Sequence, residues 1–339
     1  MNSKLKIIIG SLVLMFVTSI NAQQDRHFSL FYVSPLELNP GAAGMFSGDV
    51  QFFTNYKNQW SSITPNLYKT ITGSVDGKVY KNTSNGTFIG AGLGFYNDVA
   101  GIGKMKTNIY AASVSVGIEI ADNQFLALGI RPGLFQRSID YTNFTWSNQW
   151  NGTEFDAGTL PGESVHFGNI IKFDLNTGIY YIGNITENIL VQGGLALHHV
   201  TRPSIGFSSS DETLYMKTVI NARMVYIINH SKIGLEPNVL AFFQGPNKEI
   251  TFGNDFKYYL KESSKYTGYF EETSLSLGVY YRTQDAIYTT FFFNTSGFSL
   301  GVAYDSNISG LKAATNGLGG MEFLLRYRIG YTGAYSSFR

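Results

Sequence analysis

The sequence predicts an all-β transmembrane antiparallel barrel of about 14 strands, with a short N-terminal plug or periplasmic segment. Three observations lead to this fold class: an export leader, many segments that alternate between apolar and small or polar residues, and an unusual composition. Of the 339 residues, 26 are Phe, 22 are Tyr and 37 are Gly, and cysteine is absent. Only 14% are charged, whereas an ordinary soluble domain carries about 25%.

The first residues have the pattern of a secretory leader. Lys4 and Lys6 precede an apolar stretch over residues 7–17, and Ala22 follows as a small residue at a cleavage position. The stretch is too short for a spanning helix, which needs about 20 residues. We predict that residues 1–22 are a signal peptide. The chain after it has a net charge of −1, since 23 basic residues face 24 acidic ones, and it has no basic stripe for nucleic acid.

The alternation has a period of two residues. Between residues 124 and 137, and again over 274–282 and 298–305, bulky apolar side chains alternate with small or polar ones. This is the pattern of a membrane barrel, in which apolar residues face lipid and the others face the lumen. A soluble β-sandwich also alternates, but the leader, the missing cysteine and the aromatic residues at segment ends favour the barrel.

The alternating segments give an even strand number, as closure with both termini on one side requires. Connections after even-numbered strands are mostly short, and several after odd-numbered strands are long. Because outer-membrane barrels have short periplasmic turns and long outer loops, we expect residues 143–163 outside the cell and 183–188 in the periplasm. Residues 23–45 lack clean alternation, so they either dock in the lumen or form a periplasmic tail, and residues 46–339 form the barrel. The predicted strands are 46–57, 68–80, 87–97, 105–119, 124–138, 170–182, 189–200, 214–228, 233–245, 250–261, 272–282, 286–294, 297–305 and 321–332.

Residues suited to catalysis or to metal or cofactor binding are hard to find. The five histidines form no His-Glu-x-x-His pair, and no cysteine ligand exists. His198 and His199 fall in a predicted strand, so we expect their rings on opposite faces. The glycines of residues 90–94 resemble part of a phosphate-binding loop, but no helix follows them, and we expect them to relieve crowding inside the barrel. Without a Ser/His or paired-acid site, an enzyme barrel such as a lipase or protease is disfavoured.

Charged residues also occupy the predicted lumen face. Two interpretations are open: the arginines line a water channel and favour anions, or they pair with lumen acids and help to close the bore. We favour pairing, because a buried charge is costly without a partner. The basic residues are Arg131, Arg137, Arg223, Arg282, Arg326 and Arg328, and the candidate acids are Glu119, Asp305 and Glu322.

Two short elements are candidates for docking a partner protein or the N-terminal segment. In the first, Pro40 fixes its own φ and directs Asn39 toward extended geometry. The second is Asn58-Gln59-Trp60, in which Trp60 offers a rigid apolar surface with one donor, the type of anchor found at interface hot spots. The alternative for Trp60 is a place in the aromatic girdle at the membrane interface.

Several signatures occur in order along the chain, and together they resemble the PorP/SprF family of the type IX secretion system. The most specific is the Asn-Pro element with the downstream Asn-Gln-Trp. Two departures are Gly41, where the commoner pattern has Ala, and Arg339, since the chain does not end on an aromatic residue. The segments that carry the resemblance are residues 34–44, 56–60, 92–98, 278–282, 301–305 and 325–328.

This resemblance implies a non-enzymatic outer-membrane barrel without a cofactor. Some members of the family are general machine parts, associated with periplasmic ring proteins and a peptidoglycan-binding lipoprotein. Others are dedicated to the export or surface attachment of one large adhesin, a role linked to gliding motility. Besides outer-membrane lipids, the expected partners are therefore proteins. The alternative function is a diffusion porin or solute channel.

Overall fold

The computed structural model describes residues 28–61, 68–82, 84–160, 168–207, 212–261, 272–310 and 312–330. Fourteen antiparallel strands pair in sequence order, and β1 closes on β14, so the barrel has no free edge. The prediction of a 14-strand barrel is confirmed. The strands are β1 Val50–Gln59, β2 Tyr68–Asn82, β3 Thr87–Ala100, β4 Met105–Ala121, β5 Gln124–Ile139, β6 Gly168–Thr186, β7 Ile189–His198, β8 Lys217–Ile227, β9 Ile233–Gln244, β10 Asn247–Lys261, β11 Thr273–Arg282, β12 Ala286–Thr295, β13 Phe298–Asn307 and β14 Leu318–Ile329.

The alternation in sequence becomes alternation across the wall. Leu128 and Leu277 are each 59% exposed, whereas Ala127 is 1% and Arg131 is 4% exposed. The outer surface is thus apolar and suits lipid, and the ladder satisfies the backbone groups that lipid cannot. Among the described residues, none of the helices is long and apolar enough to span a membrane.

The strand ends differ from the predicted ends by a few residues, for local reasons. β1 begins at Val50 because Phe46 is buried inside the barrel, where its carbonyl accepts a hydrogen bond from Lys78 Nζ at 3.2 Å. β10 begins at Asn247 because Gly245, with φ of 56°, permits a two-residue turn from β9.

Residues 28–49, which precede β1, lie inside the barrel. Residues 28–49, here called the lumen segment, contain three short helical turns: Phe31–Val33, Pro35–Leu38 and Pro40–Ala42. At its start, Ser29 N donates to Glu322 in the first half of β14, and at its end Asp49 N donates to Ile329 O at the end of β14. The segment therefore runs along the bore, from the end with the long connections (the long-loop end) to the end with the short turns (the short-turn end). The sequence allowed either a lumen-docked segment or a periplasmic tail here. These contacts support the lumen-docked segment.

Candidate functional site

The start of the lumen segment binds a buried charged cluster. Ser29 N donates to Glu322 Oε1 at 2.6 Å, and Ser29 Oγ donates to Asp305 Oδ1 at 2.7 Å. Arg282 Nη1 lies 3.2 Å from Asp305 Oδ2, and Lys57 Nζ lies 3.1 Å from Glu322 Oε1. Because buried charges are costly unless paired and hydrogen-bonded, the two cations neutralise the two acids and the segment satisfies further oxygen lone pairs.

Next along the segment, Tyr32 extends a stack of tyrosines. The Tyr32 ring lies on Tyr280 with centroids 5.4 Å apart, and Tyr280 lies on Tyr288 at 5.0 Å. The guanidinium groups of Arg223 and Arg282 lie over the two outer rings, at 5.4 Å and 5.3 Å from their centroids. Aromatic and cation–π contacts of this kind stabilise the segment against strands on one side of the bore.

On the other side of the bore, β5 and β7 bind the carbonyl groups of the helical turn Pro35–Leu38. Arg131 Nη1 donates to Leu36 O at 3.1 Å, and its Nη2 lies 3.2 Å from Glu37 Oε1. His198 Nε2 is 2.8 Å from Leu38 O. Arg131 therefore pairs with an acid of the lumen segment, and not with an acid of the wall.

Asn39 fixes the middle of the segment to β6 and β7. Its Nδ2 donates to Ile179 O at 2.8 Å and to Leu195 O at 3.2 Å, and its Oδ1 accepts from Gly41 N at 2.9 Å. The side chain is fully buried. Its backbone is extended, as the following Pro40 requires, and this geometry lets one amide cap the next turn while it reaches both strands.

Glycines on the inner wall leave room for the Asn-Pro-Gly turn. A Cβ atom added at Gly129 would overlap Pro40, and one added at Gly178 would overlap Asn39. Gly90 belongs to the run of glycines that resembles part of a phosphate-binding loop. A Cβ atom added there would overlap Ala43. These glycines provide close approach between two backbones, and Ser115 Oγ adds a hydrogen bond of 2.7 Å to Ala43 O.

The remaining lumen arginines also lie on the inner wall. Arg326 Nη1 donates to Val33 O of the lumen segment at 3.3 Å. Arg223 pairs with Glu236, and Arg328 Nε donates to a wall glutamine at 2.8 Å. The Arg137 guanidinium lies 5.9 Å from the ring of a loop phenylalanine. Sequence reasoning missed Glu236 and also Lys57, although both lie on the inward face of their strands.

Glu119 does not have the role expected for it. We expected a lumen acid that pairs with an arginine, but Glu119 Oε1 accepts from Asn123 N at 3.0 Å in the β4–β5 turn. It lies two residues before the last residue of β4.

The structure does not bring the two proposed docking elements together. Trp60 follows β1, has φ of 53°, and packs edge-to-face on Tyr68 with ring centroids 4.9 Å apart. Asn58 lies on the outward face of β1, and Gln59 ends the strand. Asn39 instead binds β6 and β7, on another side of the barrel.

The expectation for the adjacent histidines is wrong. β7 ends at His198, and His199 has φ of 56°, so the alternation stops between them and the ring centroids are 6.3 Å apart. His199 Nδ1 lies 2.8 Å from Asp174 Oδ2. Within the described ranges, no group of three or more His, Cys, Asp or Glu residues is placed to hold a metal ion.

A comparison with known protein families identifies the family of this barrel. A family model described as "Type IX secretion system membrane protein PorP/SprF" matches residues 20–327. The chain belongs to this family. It is an outer-membrane barrel of the type IX secretion system. No curated protein matches the chain.

Solved structures with a similar barrel are distant in sequence. The Pseudomonas putida toluene transporter TodX is 9% identical over 88% of this chain and 93% of that one, with a TM-score of 0.49. A Pseudomonas aeruginosa FadL homologue is 11% identical over 85% and 91%, with a TM-score of 0.43. BamA from Haemophilus ducreyi, lacking POTRA domains 1–3, is 11% identical over 83% and 70%, with a TM-score of 0.44.

Proposed function

We propose that this protein is a non-enzymatic, plugged barrel of the type IX system that supports the secretion or surface attachment of a partner protein. Family membership supports the system, and one structural observation supports the role. The lumen segment is bound along the bore by Arg282, Arg131 and Arg326 and by the glycines opposite Asn39 and Pro40. A filled lumen leaves less room for a diffusing solute than an open porin bore, whereas a protein-docking role needs no open path.

The proposed partners are proteins at either end of the barrel. Periplasmic ring proteins and a peptidoglycan-binding lipoprotein would contact the short-turn end, and an exported adhesin would contact the long-loop end. At the long-loop end, the connection after β5 exposes Trp150, Phe155 and Leu160, which are 56%, 43% and 82% exposed. Its fold is fixed by a bridge between Trp150 and Phe155 and by a hydrogen bond of 3.0 Å from buried Gln149 to Thr159 O. An ordered loop that displays apolar groups supports a protein-binding role.

Deletion of the gene tests the proposal, with the proteins of the medium and the cell surface compared between mutant and parent. We expect one or more exported proteins to be lost from both fractions, and these define the partner. Unchanged export and surface display of all proteins would refute the function.

Trp60 provides a second test, because its contact with Tyr68 suits an interface girdle while its position at the long-loop end suits docking. If Trp60 docks a partner, Trp60→Ala leaves a folded, heat-modifiable barrel and abolishes partner export. If it belongs to the girdle, Trp60→Ala lowers barrel abundance and export falls in proportion, while Trp60→Phe is nearly silent.

Conductance separates this function from a diffusion porin. In planar bilayers the purified full-length barrel should show little conductance, because the lumen segment lies along the bore. Stable open channels in the unmodified protein would favour the porin.

A further inference from the structure

A row of amide side chains crosses the outer face of the wall near the long-loop end. Asn97 Nδ2 on β3 donates to Asn108 Oδ1 on β4 at 2.5 Å, and Asn108 Nδ2 donates to Gln136 Oε1 on β5 at 3.1 Å. Gln136 Nε2 in turn donates to Asn169 Oδ1 on β6 at 3.1 Å. Asn97 pairs with Asn108 and Asn108 with Gln136 in the strand register, so the four amides form one continuous chain. We call it the amide row.

The amide row lies on the lipid-facing side of the wall, at the edge of the apolar band. Asn108 is two residues from Tyr110, which is 54% exposed, and Gln136 is two residues from Leu134, which is 52% exposed. Side chains two residues apart in a strand share a face. Every outward residue of β4 from Tyr110 to Ile120 is apolar. These residues extend about 33 Å along a strand tilted by about 40°, which gives a height of about 25 Å, the height of a barrel's lipid-facing band. The amide row therefore lies where lipid headgroups begin.

The amides keep hydrogen-bonding groups that the row itself does not use. A side-chain amide has two N–H donors and an oxygen with two lone pairs. The three bonds of the amide row use three of its eight donors and three of its eight lone pairs, which leaves five of each. Acyl chains offer no partner for such groups. The amide row therefore suits a ligand with several hydroxyl groups, because a hydroxyl both donates and accepts.

The charge beside the amide row is positive. Lys106 is exposed on β4, one outward position beyond the amide row. Lys69 lies in the same transverse line, since Lys69 pairs with Val99 and Val99 with Lys106, and neighbouring strands are about 4.8 Å apart. Within the described strands, the outward faces of β2–β6 carry no acid. Asp140, which follows β5, already accepts hydrogen bonds of 3.0 and 2.6 Å from the next threonine. The patch therefore attracts an anionic headgroup.

An apolar groove continues from the amide row toward the middle of the membrane. It has a volume of about 510 Å³ and lies on the outward face of β14, β1, β2 and β3, over Thr54 and Gly73. The ring of Phe95 lies against Gly73, where an added Cβ atom would overlap it. Phe95 is two residues from Asn97, so an acyl chain that leaves a headgroup on the amide row can follow this groove. The other outward side chains along the groove are Phe52, Val75, Leu93, Leu325 and Tyr327.

The girdle on the opposite side of the barrel has a different composition. Near the long-loop end of β10–β12, the outward residues Phe252, Tyr281 and Ile287 lie side by side. These are the aromatic and apolar groups of an ordinary interface girdle. Contact with a membrane would by itself give the same girdle all round, so the amides and lysines of β2–β6 indicate a ligand on one side only.

We propose that the amide row, Lys69 and Lys106 bind the phosphorylated sugar headgroup of an outer-leaflet glycolipid, with one acyl chain in the groove. The lysines meet the phosphate, the amides meet the sugar hydroxyls, and the groove holds the chain. A glycerophospholipid supplies the phosphate and the chain but few hydroxyls. The site requires the long-loop end to face the outside, and labelling of loop cysteines tests that orientation separately. It needs no exported partner, so its failure leaves the proposed function intact.

Lipid binding to the purified full-length barrel tests the inference. In native mass spectrometry, diphosphorylated lipid A should bind about tenfold or more tightly than phosphatidylglycerol, the effect of its additional hydrogen bonds. Lys69→Gln with Lys106→Gln should weaken lipid A binding about 30-fold, because each lysine near an anionic lipid contributes about fivefold. Asn108→Leu interrupts the amide row and should weaken binding about tenfold. The matched control, Lys248→Gln with Lys312→Gln, removes two exposed lysines elsewhere at the same end and should leave binding within about twofold, a small change on the same energy scale.

Other outcomes overturn the inference. Equal losses in the two double variants would mean that lipid A binds through overall charge alone, and tighter binding of phosphatidylglycerol would mean that the sugar is not recognised. In cells, p-benzoylphenylalanine at Val99, between the two lysines, should photocrosslink to glycolipid, and a discrete protein adduct would mean that the patch docks a partner. If a variant does not fold, the unmodified barrel decides: it should prefer diphosphorylated lipid A to the dephosphorylated form, and equal affinities would refute the site.

Discussion

Asn39→Ala should release the lumen segment without unfolding the barrel. The substitution removes hydrogen bonds to Ile179 O, Leu195 O and Gly41 N, at 2.8, 3.2 and 2.9 Å. Each bond contributes about 0.5–1.5 kcal/mol net, so docking of the segment weakens by roughly 2–4 kcal/mol. The 14-strand ladder does not pass through Asn39, so barrel closure is unaffected.

The assay measures exposure of the segment directly. The chain has no cysteine, so Ala42→Cys, at a position 4% exposed, reports undocking through its reaction with a water-soluble maleimide. When the segment rebinds faster than it reacts, the rate follows the undocked population. A loss of 2–4 kcal/mol then accelerates labelling about 30- to 700-fold.

A matched control and a charge variant sharpen the result. Asn294→Ala also removes a lumen amide, but one with a single long hydrogen bond of 3.4 Å to Ser274 Oγ, and it should leave the rate nearly unchanged. Asn39→Asp places a carboxylate against two carbonyl oxygens and should release the segment as well. Equal labelling in Asn39→Ala and Asn294→Ala, with both barrels heat-modifiable, would refute the reasoning.

Three further predictions concern the register, the orientation and the glycine contacts. Leu277→Arg, at a site on the lipid face that is 59% exposed, should lower the free energy of unfolding by about 2–4 kcal/mol in urea titration. Ser276→Ala on the lumen face should lower it by under about 1.5 kcal/mol. Equal losses would contradict the register. In intact cells, an impermeant maleimide should label Thr153→Cys but not Glu187→Cys, and the opposite pattern would reverse the orientation. Gly129→Ala should raise conductance in planar bilayers, because its Cβ overlaps Pro40 and displaces the lumen segment. Gly310→Ala should not, because no atom lies within 4 Å of the added Cβ. Gly129→Ala barrels that stay closed would contradict the packing.

The inward contacts show where single-strand reasoning fails. From the alternation alone, Gly278→Ala on the lumen face should cost less than a charge on the lipid face. In the structure, a Cβ at Gly278 would overlap Asp255 and Thr290, and Asp255 Oδ2 accepts from Tyr280 Oη at 2.6 Å. The substitution therefore disturbs a buried network, and Ser276→Ala is the better control.

The sequence by itself determined the barrel. Side chains alternate every two residues in any strand, and lipid accepts only apolar groups on one face. The approximate number of strands and the face of each residue could therefore be read from the alternating segments, such as those around Leu128 and Leu277. The approximate strand ends followed from where the alternation stops, although the prediction placed Gly245 inside β9 and in the structure it lies in the turn to β10. These properties are local, because they depend only on which residues are adjacent in the chain.

Only the tertiary structure decided what the lumen holds and which charges meet. Asn39 lies 140 and 156 residues from the carbonyl groups it binds, and Ser29 lies 293 residues from Glu322. Periodicity carries no information on pairs so far apart, because closure of the barrel and entry of the lumen segment set them together. For the same reason the sequence could not show the cavity between the lumen segment and the wall, because its lining comes from eight strands, and each lining residue alone is an ordinary lumen position.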